Sequence, residues 1–208
     1  VLDRLESALG PLEESALKYL EVDSLELEGG RLSAWTEDIL DEFEARYGYD
    51  GKPWLTLLID SDSESPSEPT AGRGDRFLHD WTRLVSDLMI ENHYQVGNEV
   101  LGERGLLLSA EAGGPGPPIW NSCPVDAIGA LGATGLIRGE FWPKQRSMYN
   151  VKEIACAAHV YGKRVVDAES FTSWRHWRDL PYYLKLLADQ AFLDGLNHIT
   201  FHTAPHGG

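Results

Sequence analysis

Short apolar runs alternate with longer amphipathic segments along most of this sequence. The short runs have the length and composition of buried strands, and the longer ones have helical spacing. We predict strands over 19–23, 106–111, 135–140, 164–169 and 198–202, and helices over 36–47, 75–104, 151–161 and 182–196. Strands that alternate with helices pair in parallel. The sequence therefore predicts an α/β fold built from successive βα units.

Polar residues end the predicted strands: Asp23, Glu111, Glu140, Glu169 and His202. A (β/α)8 barrel gathers the C-terminal ends of its strands around one mouth, where its chemistry lies. A doubly wound sheet favours a glycine-rich phosphate turn after its first strand, and none is found here. The glycine-rich segment 113–118 contains three prolines, which lack the N–H groups of a phosphate-binding loop. The strand ends favour a (β/α)8 TIM-barrel fold.

The charge of the chain excludes some partners. With 18 basic and 33 acidic residues among 208, the net charge is −15, which argues against nucleic acid or an anionic membrane surface as the main partner. Much of the excess lies in the helix predicted over 36–47 and in an acidic surface loop at about 60–75. No segment approaches the roughly 20 apolar residues of a membrane span, and no signal peptide is expected in this chain.

Carboxylates clustered at a barrel mouth need a physical explanation, because burying a charge is costly unless it is compensated. Salt bridges are one explanation, although few basic residues lie near these strand ends: Arg138, Lys144 and Arg175. A second is an acid and base pair for glycoside hydrolysis. A third is a site for a hard cation, with calcium preferred to zinc because the ligands are oxygens.

Aromatic residues close to the acidic strand ends are candidates for sugar platforms. Trp142 and Trp174 each follow an acidic strand end by a few residues, whereas Phe77 and Trp81 are predicted to belong to the core. We expect His202, at the end of the last strand, either to hydrogen-bond a carboxylate or to contact a substrate hydroxyl. A serine hydrolase is disfavoured, because no serine lies in a nucleophile-elbow pattern.

Taken together, several segments resemble glycoside hydrolase family 106, the α-L-rhamnosidases. The resemblance covers nearly the whole chain in order and rests on these segments: Val22-Asp-Ser-Leu-Glu26, Phe77-Leu-His-Asp-Trp81, Ser109-Ala-Glu111, Gly139-Glu-Phe-Trp142, Ala157-Ala-His-Val-Tyr-Gly-Lys163, Ala168-Glu-Ser-Phe-Thr172 and Phe201-His-Thr203. The resemblance implies a barrel glycosidase that hydrolyses terminal α-L-rhamnosides of glycosides or polysaccharides with inversion, using two glutamates and a calcium ion.

Carried onto this chain, the resemblance implies roles for the strand-end acids. Glu26 is expected to be the general acid, and Glu140 or Glu169 the base that activates water. Asp23, Glu111 and the remaining glutamate are then ligands for calcium or for substrate hydroxyls. The substrate-binding residues are expected to be Asp23, Trp142, Trp174 and His202.

The resemblance also implies a place in a longer protein. Residues 1–208 are expected to be the C-terminal part of the catalytic domain, about strands 4–8, with the remainder of the barrel upstream. Because enzymes of this family are typically bacterial and exported, we expect a secreted or periplasmic protein. Two alternatives stay open: a barrel glycosidase for a different sugar, and a non-catalytic carbohydrate-binding or inactive barrel fragment.

Overall fold

The computed structural model describes residues 1–25, 34–59, 72–112, 125–143, 149–173, 175 and 178–202. Its strands are β1 (Tyr19–Val22), β2 (Leu107–Ala110), β3 (Leu136–Phe141), β4 (Val166–Ser170) and β5 (His198–Phe201). Its α-helices are α1 (Leu2–Leu9), α2 (Ile39–Tyr47), α3 (Arg73–Met89), α4 (Val96–Gly102), α5 (Ala127–Ala133), α6 (Tyr149–Tyr161) and α7 (Pro181–Asp194). A π-helical segment, Ile90–Gln95, joins α3 to α4, and 3-10 helices cover Leu12–Glu14 and Lys52–Leu58.

The five strands form one parallel sheet in the order in which they occur in the chain, β1-β2-β3-β4-β5. Each connection leads to the neighbouring strand, always in the same direction across the sheet. Because such connections are right-handed, their helices all lie on the same face of the sheet. A doubly wound sheet would reverse direction and cover both faces. The strand order therefore gives a singly wound half-barrel.

The helix-covered face of the sheet is apolar. It carries Leu108, Ala110, Ile137 and Ala168, all buried in the main core together with residues of α4 to α7. Helix α6 approaches β3 closely, since a Cβ added at Gly139 would lie 2.8 Å from Ile154 Cγ2. This packing fixes the backbone of the strands, and with it the positions of the side chains on the opposite face.

The opposite face of the sheet is polar. The register pairs Glu21 with Ser109, Arg138 with Asp167, and Glu140 with Glu169. Because side chains alternate along a strand, these residues share one face, which is the interior of the half-barrel. Ser109, Arg138, Glu140 and Asp167 are all buried there.

A helical unit with its own core is inserted between β1 and β2. Helices α2 and α3 and the 3-10 helix Lys52–Leu58 contribute to this second core, whose buried residues are Ile39, Phe43, Leu58, Phe77, Trp81, Leu84 and Val85. Met89 packs against both cores and so links the unit to the half-barrel. Phe77 and Trp81 are core residues, as predicted.

Several element boundaries differ from the sequence-based expectation. The helix predicted over 36–47 begins at Ile39, and the one predicted over 75–104 begins at Arg73 and is interrupted by the π-helical segment. Residues 60–71 of the acidic loop predicted at about 60–75 lie outside the described residues, and Arg73 already belongs to α3. Helices α1 and α5 were not predicted. Both are short, eight and seven residues, and too short to show a clear helical period.

Candidate active site

Six carboxylates line the polar face of the half-barrel or lie just beyond its strand ends: Glu21, Asp23, Glu111, Glu140, Asp167 and Glu169. Asp23 and Glu111 directly follow β1 and β2, whereas Glu140 and Glu169 occupy the penultimate positions of β3 and β4. Asp23, Glu111, Glu140 and Glu169 lie at the C-terminal ends of parallel strands, where barrel enzymes carry their chemistry. Glu21 and Asp167 lie on the same face, two residues before Asp23 and Glu169.

One arginine compensates much of this negative charge. The Arg138 side chain is 3% exposed, and its guanidinium lies 2.8 Å from Glu21 Oε2, 3.4 Å from Glu111 Oε1 and 3.6 Å from Asp167 Oδ2. A fourth carboxylate, Glu169, has Oε2 4.0 Å from Nη2. Salt bridging, one of the explanations considered for the strand-end acids, therefore accounts for part of the cluster.

Burial and charge repulsion act together on Glu111. Its side chain is 2% exposed, and burial raises the pKa of this carboxyl to about 9, with further upward contributions from Glu140, Glu169 and Asp23. The nearby Arg138 guanidinium lowers the pKa but does not offset them. Burial also raises the pKa of Glu21, against the opposing effect of Arg138. One arginine thus does not neutralise the negative charge of this cluster of carboxylates.

The two register-paired glutamates have different neighbours. Trp142 Nε1 donates a hydrogen bond of 2.6 Å to Glu140 Oε2. Glu169 Oε1 accepts a hydrogen bond of 2.7 Å from Thr172 Oγ1 and lies 3.4 Å from His202 Nδ1. Phe171, directly after β4, has a φ of 68°, a left-handed conformation that is unusual for a bulky residue. The chain therefore turns sharply between Glu169 and its hydroxyl partner Thr172.

Three of the carboxylates could hold a cation together. One oxygen each from Asp23, Glu111 and Glu169 lies within 4.8 Å of the other two. The donor set is entirely oxygen, which suits a hard cation such as calcium. Beyond the effect of burial, the nearby carboxylates of Glu140, Glu169 and Asp23 also raise the pKa of Glu111, and a cation would offset this repulsion. These residues therefore fit the cation expected from the sequence.

The structure brings together most of the predicted site residues. Asp23, Glu111, Glu140 and Glu169 surround one region at the strand ends, and His202 contacts Glu169. Trp142 lies beside them with its indole N–H bonded to Glu140. The predicted general acid Glu26 and the predicted platform Trp174 lie outside the described residues, so their roles stay predictions.

Sequence reasoning missed Glu21, and it named Arg138 as a candidate salt-bridge partner without predicting that this residue contacts several carboxylates. Both carry the same signal: each lies two residues before a strand-end acid, Asp23 or Glu140, and therefore on the same face of its strand. Asp167 lies two residues before Glu169 and so shares its face; it accepts hydrogen bonds from Thr200 Oγ1 and contacts His198 Nδ1 at 2.8 Å. The contacts across strands could not be read from one strand at a time.

A singly wound parallel half-barrel with carboxylates at its strand ends is typical of the catalytic barrels of glycosidases. The family model described as alpha-L-rhamnosidase, glycoside hydrolase family 106, matches residues 1–207. The chain belongs to this family of glycosidases.

Known proteins that are similar to this chain include the following two. A rhamnosidase from Novosphingobium sp. PP1Y superposes with a TM-score of 0.78 and 28% identity over 99% of this chain and 19% of that protein. A protein of Formosa agariphila named putative beta-glucuronidase is 32% identical over 200 residues, which are 95% of this chain and 16% of the relative. The chain thus spans less than a fifth of the length of both relatives.

Proposed function

We propose that the protein containing this chain hydrolyses terminal α-L-rhamnosides with inversion of configuration. The observation that carries this proposal is the convergence of Glu111, Glu140 and Glu169 at one barrel mouth, in a chain of this glycosidase family. Carboxylates in environments that differ in burial and hydrogen bonding can serve as acid and base at the same pH.

The contacts support a division of roles among the glutamates. Glu169 lies with Asp23 and Glu111 in the three-carboxylate set, which suits a cation ligand. Glu140 lies outside that set and is oriented by the Trp142 N–H, which suits a base that accepts a proton from water. Glu26 then protonates the departing oxygen as the general acid. Inversion requires the acid and base carboxyls to stand roughly 6.5–9.5 Å apart, with the water between the base and the sugar.

Asp23, Glu111 and Glu169 would hold calcium, which would supply positive charge and coordination positions for sugar hydroxyls. The protein's own groups do the rest. The Arg138 guanidinium contacts Glu111 and Glu169. Contacts with Thr172 and His202 restrict the rotation of the Glu169 side chain. Fixed carboxylates of this kind lower the cost of reorganisation during the reaction.

A second candidate is hydrolysis of β-glucuronides, favoured by the name of the Formosa agariphila relative. The two candidates differ in substrate charge, because a glucuronide brings a carboxylate to a site already rich in carboxylates. Among the described residues, Arg138 is the arginine that contacts these carboxylates, and it is already shared among three of them. This favours the neutral rhamnoside.

The test is turnover of aryl glycosides by the intact protein. We expect release of para-nitrophenol from the α-L-rhamnoside and none from the β-D-glucuronide, with loss of the rhamnoside activity in Glu140→Gln. Glu153→Gln is the matched control, since Glu153 lies on α6, on the helix-covered side of the sheet. Rhamnoside turnover by Glu140→Gln at the rate of the unaltered protein would remove Glu140 from the base position.

A further inference from the structure

A cleft of about 460 Å³ lies between α2 and the long helix formed by α3 and the π-helical segment. Its volume falls within the range of small-molecule sites. The apolar part of its wall is formed by Ala34, Ile39, Val85, Leu88 and Met89, and the rest by polar residues and one tryptophan. None of the strand-end carboxylates lines it, so it is distinct from the site described above.

Trp35 forms one wall of the cleft. Its ring centroid lies 5.9 Å from that of Trp81, which is buried in the core of the helical unit. Trp81 thus supports one part of the Trp35 ring, while 46% of the residue stays exposed. A rigid, partly exposed indole at the edge of a cleft is a surface on which the apolar face of a sugar ring can stack.

Polar side chains complete the cleft. They include Thr36, Glu42 and Asn92 from two different elements, together with His93. His93 Nε2 is buried, and it has no hydrogen-bond partner among the described residues. His93 Nε2 therefore has hydrogen-bonding capacity that no described residue uses.

The π-helical segment explains how His93 and its neighbours reach the cleft. A π turn adds a residue to the helical period, and such turns are frequent at functional sites. In this segment Glu91 turns toward Arg46, with Oε2 2.7 Å from Nη2, and Tyr94 is buried in the main core. Asn92 and His93, which lie between Glu91 and Tyr94 in the sequence, line the cleft.

The cleft lies on the same side of the fold as the carboxylate site. Ser86 Oγ, on α3, accepts a hydrogen bond of 2.8 Å from the backbone N–H of Asp126, which caps the start of α5. The start of a helix that follows a strand lies at the C-terminal end of the sheet. The long helix then runs from this level to Gly102, shortly before β2 begins. The Val85 end of the cleft, next to Ser86, is therefore at the level of the barrel mouth, and the wall descends from there toward His93.

We propose that this cleft binds a neutral pyranose ring of the substrate, on the leaving-group side of the scissile bond. The charged side chains in its lining, Asp38 and Glu42, are acidic, which disfavours a uronate or a phosphate. The leaving-group side is assigned because Trp35 belongs to the same β1–α2 connection as Glu26, the proposed general acid. The assignment to the leaving-group side rests on the proposed function. The assignment of a neutral sugar as the ligand rests on the cleft itself.

The first test compares two substrates of the intact protein: a para-nitrophenyl α-L-rhamnoside and an α-L-rhamnosyl glucoside disaccharide. We expect Trp35→Ala and His93→Phe to lower the ratio of kcat/KM for the disaccharide to kcat/KM for the aryl rhamnoside by about tenfold each. Trp54→Ala is the matched control, because Trp54 packs against the same core but does not line the cleft. An unchanged ratio in both cleft variants would overturn the proposal.

The second test does not depend on turnover. Saturation-transfer NMR of the intact protein with methyl glucoside should show transfer to the sugar ring protons that is lost in Trp35→Ala and kept in Trp54→Ala. Equal transfer in all three proteins, or none in the unaltered protein, contradicts sugar binding in the cleft. If no rhamnoside is hydrolysed but this pattern of transfer is seen, the proposed function fails while the cleft remains a sugar site.

Discussion

Arg138 Nε lies 3.4 Å from Glu111 Oε1, and both side chains are almost completely buried at the polar face of the sheet. The pair joins β3 to the end of β2, and the same guanidinium also contacts Glu21 and Asp167. A single buried cation therefore holds carboxylates from three strands. Removing it exposes each carboxylate to the repulsion of the others.

We predict that Arg138→Gln strongly destabilises the protein. Breaking a buried ion pair by removing one partner typically costs about 3–5 kcal/mol, because the remaining charge stays buried. Calorimetry of the intact protein should show a lower unfolding temperature for the barrel transition. Arg175→Gln is the control: its i,i+4 pair with Asp179 is partly exposed, so the loss should be below about 1 kcal/mol. Equal effects of the two changes would contradict the role of Arg138.

We predict that Glu111→Gln stabilises the protein in the presence of a chelator. The folded-state pKa of Glu111 is about 9, above its ordinary value near 4.3, so the folded state binds more protons than the unfolded state between these values. Stability of the chelated protein should therefore fall as pH rises from about 5 to 9. Glu111→Gln should weaken this dependence, as measured by melting temperature against pH. An identical dependence of melting temperature on pH in the two proteins would contradict a raised pKa for Glu111.

We predict that calcium raises the unfolding temperature of the intact protein and that this shift is lost in Glu111→Gln and Asp23→Asn. A cation that binds only the folded state stabilises it by about 2.7 kcal/mol at one hundred times its dissociation constant. The measurement is a calcium titration by differential scanning calorimetry. Glu153→Gln, on the far side of the sheet, should keep the full shift. A calcium shift that survives both substitutions would place the ion elsewhere.

We predict different substrate dependence for Glu26→Gln and Glu140→Gln. Loss of the general acid matters less when the leaving group is a good one, so Glu26→Gln should retain more activity on a para-nitrophenyl rhamnoside than on an alkyl rhamnoside. Loss of the base should lower kcat on both substrates alike, by roughly 10²–10⁴-fold. Steady-state kinetics on the two substrates separate these outcomes. If Glu140→Gln, and not Glu26→Gln, retained more activity on the para-nitrophenyl rhamnoside, the roles of acid and base would be exchanged.

The alternation of strands and helices predicted most of the fold. All five strands were located to within a few residues, because each is a short apolar run with polar residues at its end. The π-helical segment could not be predicted, since its residues fit an ordinary amphipathic helix and the burial of Tyr94 in the main core is visible only in the folded structure.

The sequence predicted which carboxylates lie at the candidate site, but not the contacts between them. The strand-end positions of Asp23, Glu111, Glu140 and Glu169 follow from the sequence. Their contacts depend on the strand register and on the length of the Arg138 side chain, which reaches across from β3. The cleft beside Trp35 was not predicted either, because it is formed by α2 and α3, which are distant from each other in the chain.

The anomer first released from a para-nitrophenyl α-L-rhamnoside tests the central claim most directly. Proton NMR of the intact protein's reaction, followed before mutarotation, distinguishes the two rhamnose anomers. An acid and base pair with an activated water gives β-L-rhamnose first, with the α anomer growing in later. Initial release of α-L-rhamnose would show retention and would contradict the assignment of Glu140 as a base that activates water.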